Sequence, residues 1–150
     1  MKRRTLLKTS LAASAVVAAG SVIPGRVMAA YPKAAFESQE PSVSLDNIYG
    51  MSDYTESSDI RIKAPEIAEN GAVVPIQVDS SIANTESITI IVNENPTPIT
   101  ASFNLYGAEG YVSTRVKMGQ TSDVLAVVKA GGSLHAARQE VKVTIGGCGG

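Results

Sequence analysis

The stretch ITASFNLYGAEGYVSTRVKM, residues 99–118, decides the fold class. Apolar and polar side chains alternate through both of its halves, and the short segment GAEG (107–110) between them has the composition of a turn. A period of two is typical of a β-strand with one buried face. The residues predicted to face inward are Ile99, Ala101, Phe103, Leu105, Val112, Val116 and Met118. Ser113, Arg115 and Lys117 are then predicted to face solvent.

The flanking sequence repeats this pattern in short runs that are rich in β-branched residues. The further strand candidates are IRIK (60–63), VVPIQV (73–78), SITIIV (87–92), DVLAVVKA (123–130) and EVKVTI (140–145). The turn signals between them are NENPTP (93–98), GQTS (119–122) and AGGS (130–133). Short strands at about ten-residue spacing without a long helical period predict an all-β protein, an immunoglobulin-like antiparallel β-sandwich.

Two local features refine this prediction. Pro75 has no N–H to donate to a neighbouring strand, so we expect it at an edge or at a strand end. The segment 31–70 is irregular, and within it SLDNIYG (44–50) predicts a short helix or turn capped by Ser44.

The first residues have the three-part organisation of an export signal. Lys2, Arg3 and Arg4 precede an apolar run over residues 11–23, and the small residues Ala29 and Ala30 follow. The pair Arg3–Arg4 followed by TLLK (5–8) resembles a twin-arginine (Tat) signal, although an ordinary Sec signal with two arginines is the alternative. We therefore expect three regions: a Tat signal peptide at 1–29, a β-sandwich at 30–145 and a C-terminal arm at 146–150. The expected location is the periplasm.

Composition excludes several classes of function. The chain has 13 basic and 14 acidic residues, and five of the basic ones lie in the predicted signal, so the mature net charge is 8 − 14 = −6. Nucleic acid and anionic membranes are therefore poor partners. With one Cys and one His, neither an intrachain disulfide nor a zinc site with three His or Cys ligands is possible. A Ser-His-Asp site would depend on His135, which we interpret as a partly exposed hairpin residue. No metal or cofactor is expected.

The chain ends VTIGGCGG (143–150), which places its single thiol, Cys148, among glycines. Four glycines, Gly146, Gly147, Gly149 and Gly150, make an ordered conformation costly without a partner. The predicted arm would extend at most about 10 Å from Ile145 to Cys148. No nearby cation is placed to favour the thiolate, the closest in sequence being Lys142. We therefore predict a non-catalytic carrier whose thiol is activated by other enzymes.

Several motifs resemble the SoxY family of sulfur carriers in the bacterial thiosulfate-oxidising Sox system. They are VKVTIGGCGG at the C-terminus, AENGAVVPIQV (68–78), NPTP (95–98) and STRVKM (113–118). The resemblance implies that Cys148 carries thiosulfate-derived intermediates while partner enzymes act on them. It also implies a heterodimer with SoxZ and transient docking to the haem-containing SoxAX, the thiosulfohydrolase SoxB and the sulfane dehydrogenase SoxCD.

Two other readings of the C-terminus stay open. A ubiquitin-like sulfur carrier would use the carboxylate of the terminal Gly149–Gly150 pair, but it needs a cytoplasmic activating enzyme and a fold with a crossing helix. A structural sandwich whose cysteine forms an intermolecular disulfide is the other alternative.

Overall fold

A computed structural model of the chain describes residues 31–144, and residues 1–30 and 145–150 lie outside the described part. The chain divides after Tyr31 into two units, and all elements below belong to the second. Its helices are α1 (Lys33–Glu37) and α2 (Pro41–Tyr49). Its strands are β1 (Thr55–Glu56), β2 (Ile60–Lys63), β3 (Ile67–Ala68), β4 (Val74–Ser80), β5 (Thr85–Val92), β6 (Ile99–Asn104), β7 (Tyr111–Val116), β8 (Ser122–Ala130) and β9 (Ser133–Val143).

These strands form two sheets, and every stretch predicted as a strand contributes to one of them. The small sheet has the order β2-β4-β7, and the large sheet has the order β1-β9-β8-β5-β6, with β3 also paired to β9. All pairings among the longer strands are antiparallel. The two-residue strands β1 and β3 pair with β9 in parallel, which the sequence pattern did not predict.

The two sheets enclose the main hydrophobic core. Ile76 and Val78 of β4 and Ile88 and Ile90 of β5 have no exposed surface and belong to one buried cluster. Val112, Val116 and Met118 join the same cluster, as the alternation of residues 111–118 predicts. A fully buried aliphatic side chain of this size contributes about 1.5–3 kcal/mol. The predicted all-β sandwich is confirmed.

A helical layer covers the other face of the large sheet, where the sequence predicted only irregular structure and a short turn or helix. Leu45 of α2 and Ala35 of α1 are buried against sheet residues that include Leu125 and Val127. The helix α2 has Pro41 in its first turn and ends at Gly50, whose φ of 71° is left-handed and whose N–H donates to the carbonyl of Asp46. The domain therefore has three layers.

Ser44 does not cap a helix, contrary to the prediction. Glu40 occupies the N-cap position without a side-chain cap bond, and Ser44 lies inside α2. The Ser44 side chain is fully buried and its Oγ has no hydrogen-bond partner. The prediction was wrong because Pro41 starts the helix earlier than the hydroxyl signal indicated.

The strict alternation of residues 99–106 is also broken in the structure. Ile90 pairs with Ala101 and Ile91 with Ile99, so Thr100 is an extra residue that no residue of β5 faces in the register, although its hydroxyl donates to the Ile90 carbonyl at 3.0 Å. Such a β-bulge reverses the direction of the side chains that precede it. Ile99 consequently packs under the helices, whereas Phe103 packs between the sheets. The expectation that both share one face was wrong.

Pro75 lies where its missing N–H costs nothing. The pairing of β4 with β2 stops at Gln77, so no strand faces Pro75 on that side, while Arg115 of β7 lies opposite it on the other side. This confirms the expected position at a strand end.

Candidate functional site at the base of the C-terminal segment

The predicted attachment residue Cys148 lies outside the described residues, as do Gly146, Gly147, Gly149 and Gly150. The same is true of the signal residues Arg3 and Arg4. The structure does describe the residues that lead into the cysteine segment, at the end of β9. We refer to residues 142–144 as the arm base.

One side of the arm base is held by the short parallel strand β3. The backbone N–H of Lys142 donates to the carbonyl of Glu66 at 3.0 Å, and that of Thr144 to the carbonyl of Ala68 at 3.2 Å. Ala68 is buried, which fixes β3 to the core. The two-residue strand β3 therefore holds the arm base along one edge of β9.

The other side of the arm base is held by a side chain. The register of β9 with β8 ends at the pair of Val141 and Ser122. Beyond it, the Val143 N–H donates to the hydroxyl of Thr121 at 3.0 Å. Since Lys142 and Thr144 bond to the opposite side, all three amides of the arm base are satisfied, which keeps this segment extended.

Gly71 brings a third segment against the arm base. The Met118 N–H donates to the Gly71 carbonyl at 2.7 Å. A Cβ at Gly71 would lie 2.3 Å from the Met118 carbonyl oxygen and 2.9 Å from Cγ1 of Val143. Glycine is therefore required here by close approach of the backbone.

The turn NENPTP (93–98) does more than join two strands, which the sequence pattern did not indicate. The Asn95 side-chain amide donates to the Lys117 carbonyl at 2.7 Å, and its Oδ1 accepts the Gly119 N–H at 3.2 Å. The Glu94 N–H donates to the hydroxyl of Ser122 at 3.1 Å. Asn95 thus ties the large sheet to the end of the small one beside the arm base. An Asn within a turn is too common to have revealed this role.

Charges of both signs lie around the arm base. An open depression that Val143 helps to line carries the carboxylates of Glu94, Asp123 and Glu140. A separate groove of about 550 Å³ carries Arg115 and Lys117 and shares Gly119 with that depression. A partner approaching the arm base therefore meets acidic and basic surfaces side by side.

The other candidate residues lie apart from the arm base. His135 is half-buried in β9, between Val128 of β8 and Thr55 of β1, so it belongs to the last strand rather than preceding it. Arg115 is exposed on β7, as expected. Within residues 31–144 no three His, Cys, Asp or Glu side chains are grouped so as to hold a metal ion. No helix in the same range is long and apolar enough to span a membrane.

This arrangement fixes where the C-terminal segment leaves the domain. Backbone and hydroxyl groups hold residues 142–144, and the only thiol follows four residues later. Fold and site together define a β-sandwich whose last strand is fixed four residues before its single cysteine, which is the arrangement that a covalent carrier protein requires.

The particular carrier follows from comparison with known proteins. Residues 45–148 match the family model described as sulfur oxidation protein SoxY. The chain belongs to the SoxY family and is a sulfur carrier protein of sulfur oxidation.

A solved structure supports this assignment. The sulfur carrier protein SoxY from Chlorobium limicola f thiosulfatophilum is 41% identical to this chain, with a TM-score of 0.65 over 75% of this chain and 97% of that one. An engineered protein aligns over 57% of this chain and 20% of its own at 15% identity, and its TM-score of 0.40 is too low to bear on the fold. No curated protein sequence matches the chain.

Proposed function

We propose that this chain is a periplasmic carrier in thiosulfate oxidation that holds its substrate covalently on Cys148. The observation that carries the proposal is the extent of the family match, which runs from residue 45 to residue 148 and so includes the only cysteine. The fixed arm base supports it, because a carrier needs a defined point from which its thiol is presented.

The chemistry on Cys148 begins with an oxidative coupling. The Cys148 sulfur forms a disulfide bond with the outer sulfur of thiosulfate, and the electron pair released passes to a haem enzyme, SoxAX. The product is a cysteine S-thiosulfonate. Addition of water then breaks the bond between the outer sulfur and the sulfonate, which releases sulfate and leaves a persulfide; SoxB is the proposed hydrolase.

The persulfide is the substrate of later steps. SoxCD would accept six electrons from its terminal sulfur while three water molecules supply the oxygen atoms and release six protons, which converts that sulfur to a sulfonate. A second hydrolysis would then release sulfate and restore the thiol. The carrier itself supplies attachment and presentation, so its proposed role is non-catalytic. SoxZ is its proposed heterodimer partner.

The predicted export signal supports a periplasmic location for this cycle. The Arg3–Arg4 signal resembles a Tat signal, and that pathway moves folded proteins across the membrane. The predicted mature net charge of 8 − 14 = −6 makes nucleic acid and anionic membranes poor partners for this carrier.

Intact-mass measurement of the chain from cells oxidising thiosulfate tests the proposal. We expect adducts with the mass of thiosulfate and of sulfane sulfur, both removed by a reducing agent and both absent from a Cys148→Ser variant. Finding only free thiol and disulfide-linked dimer would contradict the proposal and favour the structural sandwich instead.

A further inference from the structure

The basic residues of the described domain are distributed unevenly. Residues 31–144 contain eight Lys and Arg side chains, and half of them lie on the outer face of the small sheet. These four residues, which we name the basic face, are Arg61, Lys63, Arg115 and Lys117. In a domain with 14 acidic residues, this is a local reversal of charge.

The strand pattern places all four side chains on one surface. Arg61 and Lys63 alternate along β2 with inward-facing Ile60 and Ile62. Arg115 and Lys117 extend the outward positions of β7.

The strand β4 separates these two pairs. Adjacent strands lie about 4.8 Å apart, so the pairs are about 10 Å apart across the sheet. Lys63 lies opposite Gln77 and Arg115 opposite Pro75, so the pairs are also offset along the strands, by two residues or about 7 Å at their nearest members. On β4, Asp79 is the single carboxylate among the outward residues Pro75, Gln77 and Asp79.

The charge of the basic face is offset within the described domain only at one end, where Asp79 of β4 lies opposite Arg61 in the strand register. Lys33, Lys129 and Arg138 form ion pairs with glutamates elsewhere in the described chain. None of the four basic-face side chains has a carboxylate within 4.0 Å among the described residues. Their charge is therefore available to a partner.

One end of the basic face adjoins the arm base. Lys117 accepts a hydrogen bond from Asn95 through its carbonyl. The next residue, Met118, bonds to Gly71, which in turn lies against Val143. A molecule seated on the basic face thus lies beside the residues that lead into the cysteine segment.

We propose that the basic face docks an acidic protein surface surrounding the active-site entrance of the enzymes that act on Cys148. The inference rests on the proposed function, since it assigns the surface through which the carrier meets those enzymes. Complementary charge accelerates encounter and orients partners without requiring a stable complex. A carrier that must leave one enzyme for the next needs this kind of contact.

The geometry favours a protein over other anions. A small anion needs donors that converge on one point, whereas these cations are exposed and lie along two strands that β4 separates. A nucleic acid or lipid surface is extended and would also meet the acidic remainder of the domain. A permanent subunit interface has an apolar core that is depleted of charge, so the basic face does not fit the SoxZ interface.

Salt-dependent loading kinetics test the docking proposal. The SoxYZ complex is loaded with thiosulfate by purified SoxAX, and kcat/KM is measured from low to high ionic strength. The test variant is Arg115→Gln/Lys117→Gln. The control, Lys33→Gln/Lys129→Gln, removes the same charge from other surfaces.

We expect the wild-type kcat/KM to fall with salt, because exposed charges are screened beyond about 8 Å at physiological ionic strength. The test variant should be about tenfold slower at low salt and should lose most of its salt dependence. The control should follow the wild type.

Three outcomes would overturn the docking proposal. They are equal rates for the test variant and the wild type, an equal loss in the control, and loss of SoxZ from the test variant in gel filtration. The last outcome would assign the face to the permanent dimer. Absence of any adduct on wild-type Cys148 would contradict the proposed function as well, so the two failures are distinguishable.

Discussion

Gly71 is the residue on which the placement of the arm base depends most directly. It has no room for a methyl group, because the backbone oxygen of Met118 and a methyl carbon of Val143 already occupy the space that a Cβ would take. Gly119 lies in the same region, yet the nearest atom to a Cβ there is Oδ1 of Asn95 at 4.0 Å. Two nearby glycines therefore differ sharply in their tolerance of a side chain.

We predict that Gly71→Ala lowers the free energy of unfolding by about 1–3 kcal/mol, the usual cost of inserting a methyl group into filled space. Gly119→Ala should change it by less than about 0.5 kcal/mol. Urea denaturation of both variants and the wild type provides the comparison. Equal stability of the two variants would show that the backbone at Gly71 relaxes at no cost.

At the scale of single elements, the helical layer is the part of the fold whose contribution is easiest to measure. Leu45 of α2 is 1% exposed beneath the helix, whereas Val43 of the same helix is 50% exposed. Leu45→Ala should cost about 2–5 kcal/mol, the usual range for truncating a buried leucine.

Val43→Ala, which tests the exposed side of the same helix, should stay within about 0.5 kcal/mol of the wild type. Thermal and urea unfolding of the two variants separate the contributions. A loss in Leu45→Ala no larger than that in Val43→Ala would mean that α2 adds little to the stability of the sheet.

The elements differ in how well the sequence predicts them, for physical reasons. The strands are predicted because one face of each is buried, so apolar and polar residues alternate along the sequence. The helix α2 buries only a narrow stripe around Leu45, which leaves a weak helical pattern. The bulge at Thr100 cannot be recognised in the sequence. Apolar and polar residues continue to alternate there, although the direction of the side chains reverses.

In the candidate site, too, some residues can be predicted from the sequence and others cannot. Cys148 stands out in the sequence because it is the only cysteine and is flanked by glycines. The groups that hold the arm base do not stand out, because two of them are carbonyls of Glu66 and Ala68, which any residue type could supply. The hydroxyl of Thr121 contributes through a long-range contact, and sequence spacing carries no information about it.

At the scale of the whole molecule, the described core and the proposed site of sulfur transfer lie in different parts of the sequence. The described buried apolar residues extend from Ala35 to Val141. The last described hydrogen bonds of the backbone are made by Thr144, four residues before the thiol. Changes at the thiol and beyond it are therefore expected to alter function without altering the stability of the sandwich.

We predict that Cys148→Ser unfolds within about 0.5 kcal/mol of the wild type, because the glycines that flank Cys148 offer no apolar side chain to anchor this segment to the core. The same variant should acquire no thiosulfate adduct. Removal of Gly149 and Gly150 separates a thiol carrier from a carrier that uses its terminal carboxylate. A thiol carrier keeps some carrier activity after this truncation, whereas a carboxylate carrier loses all activity. Urea unfolding together with intact-mass analysis measures both properties, and a large loss of stability in Cys148→Ser would show that the thiol packs against the domain.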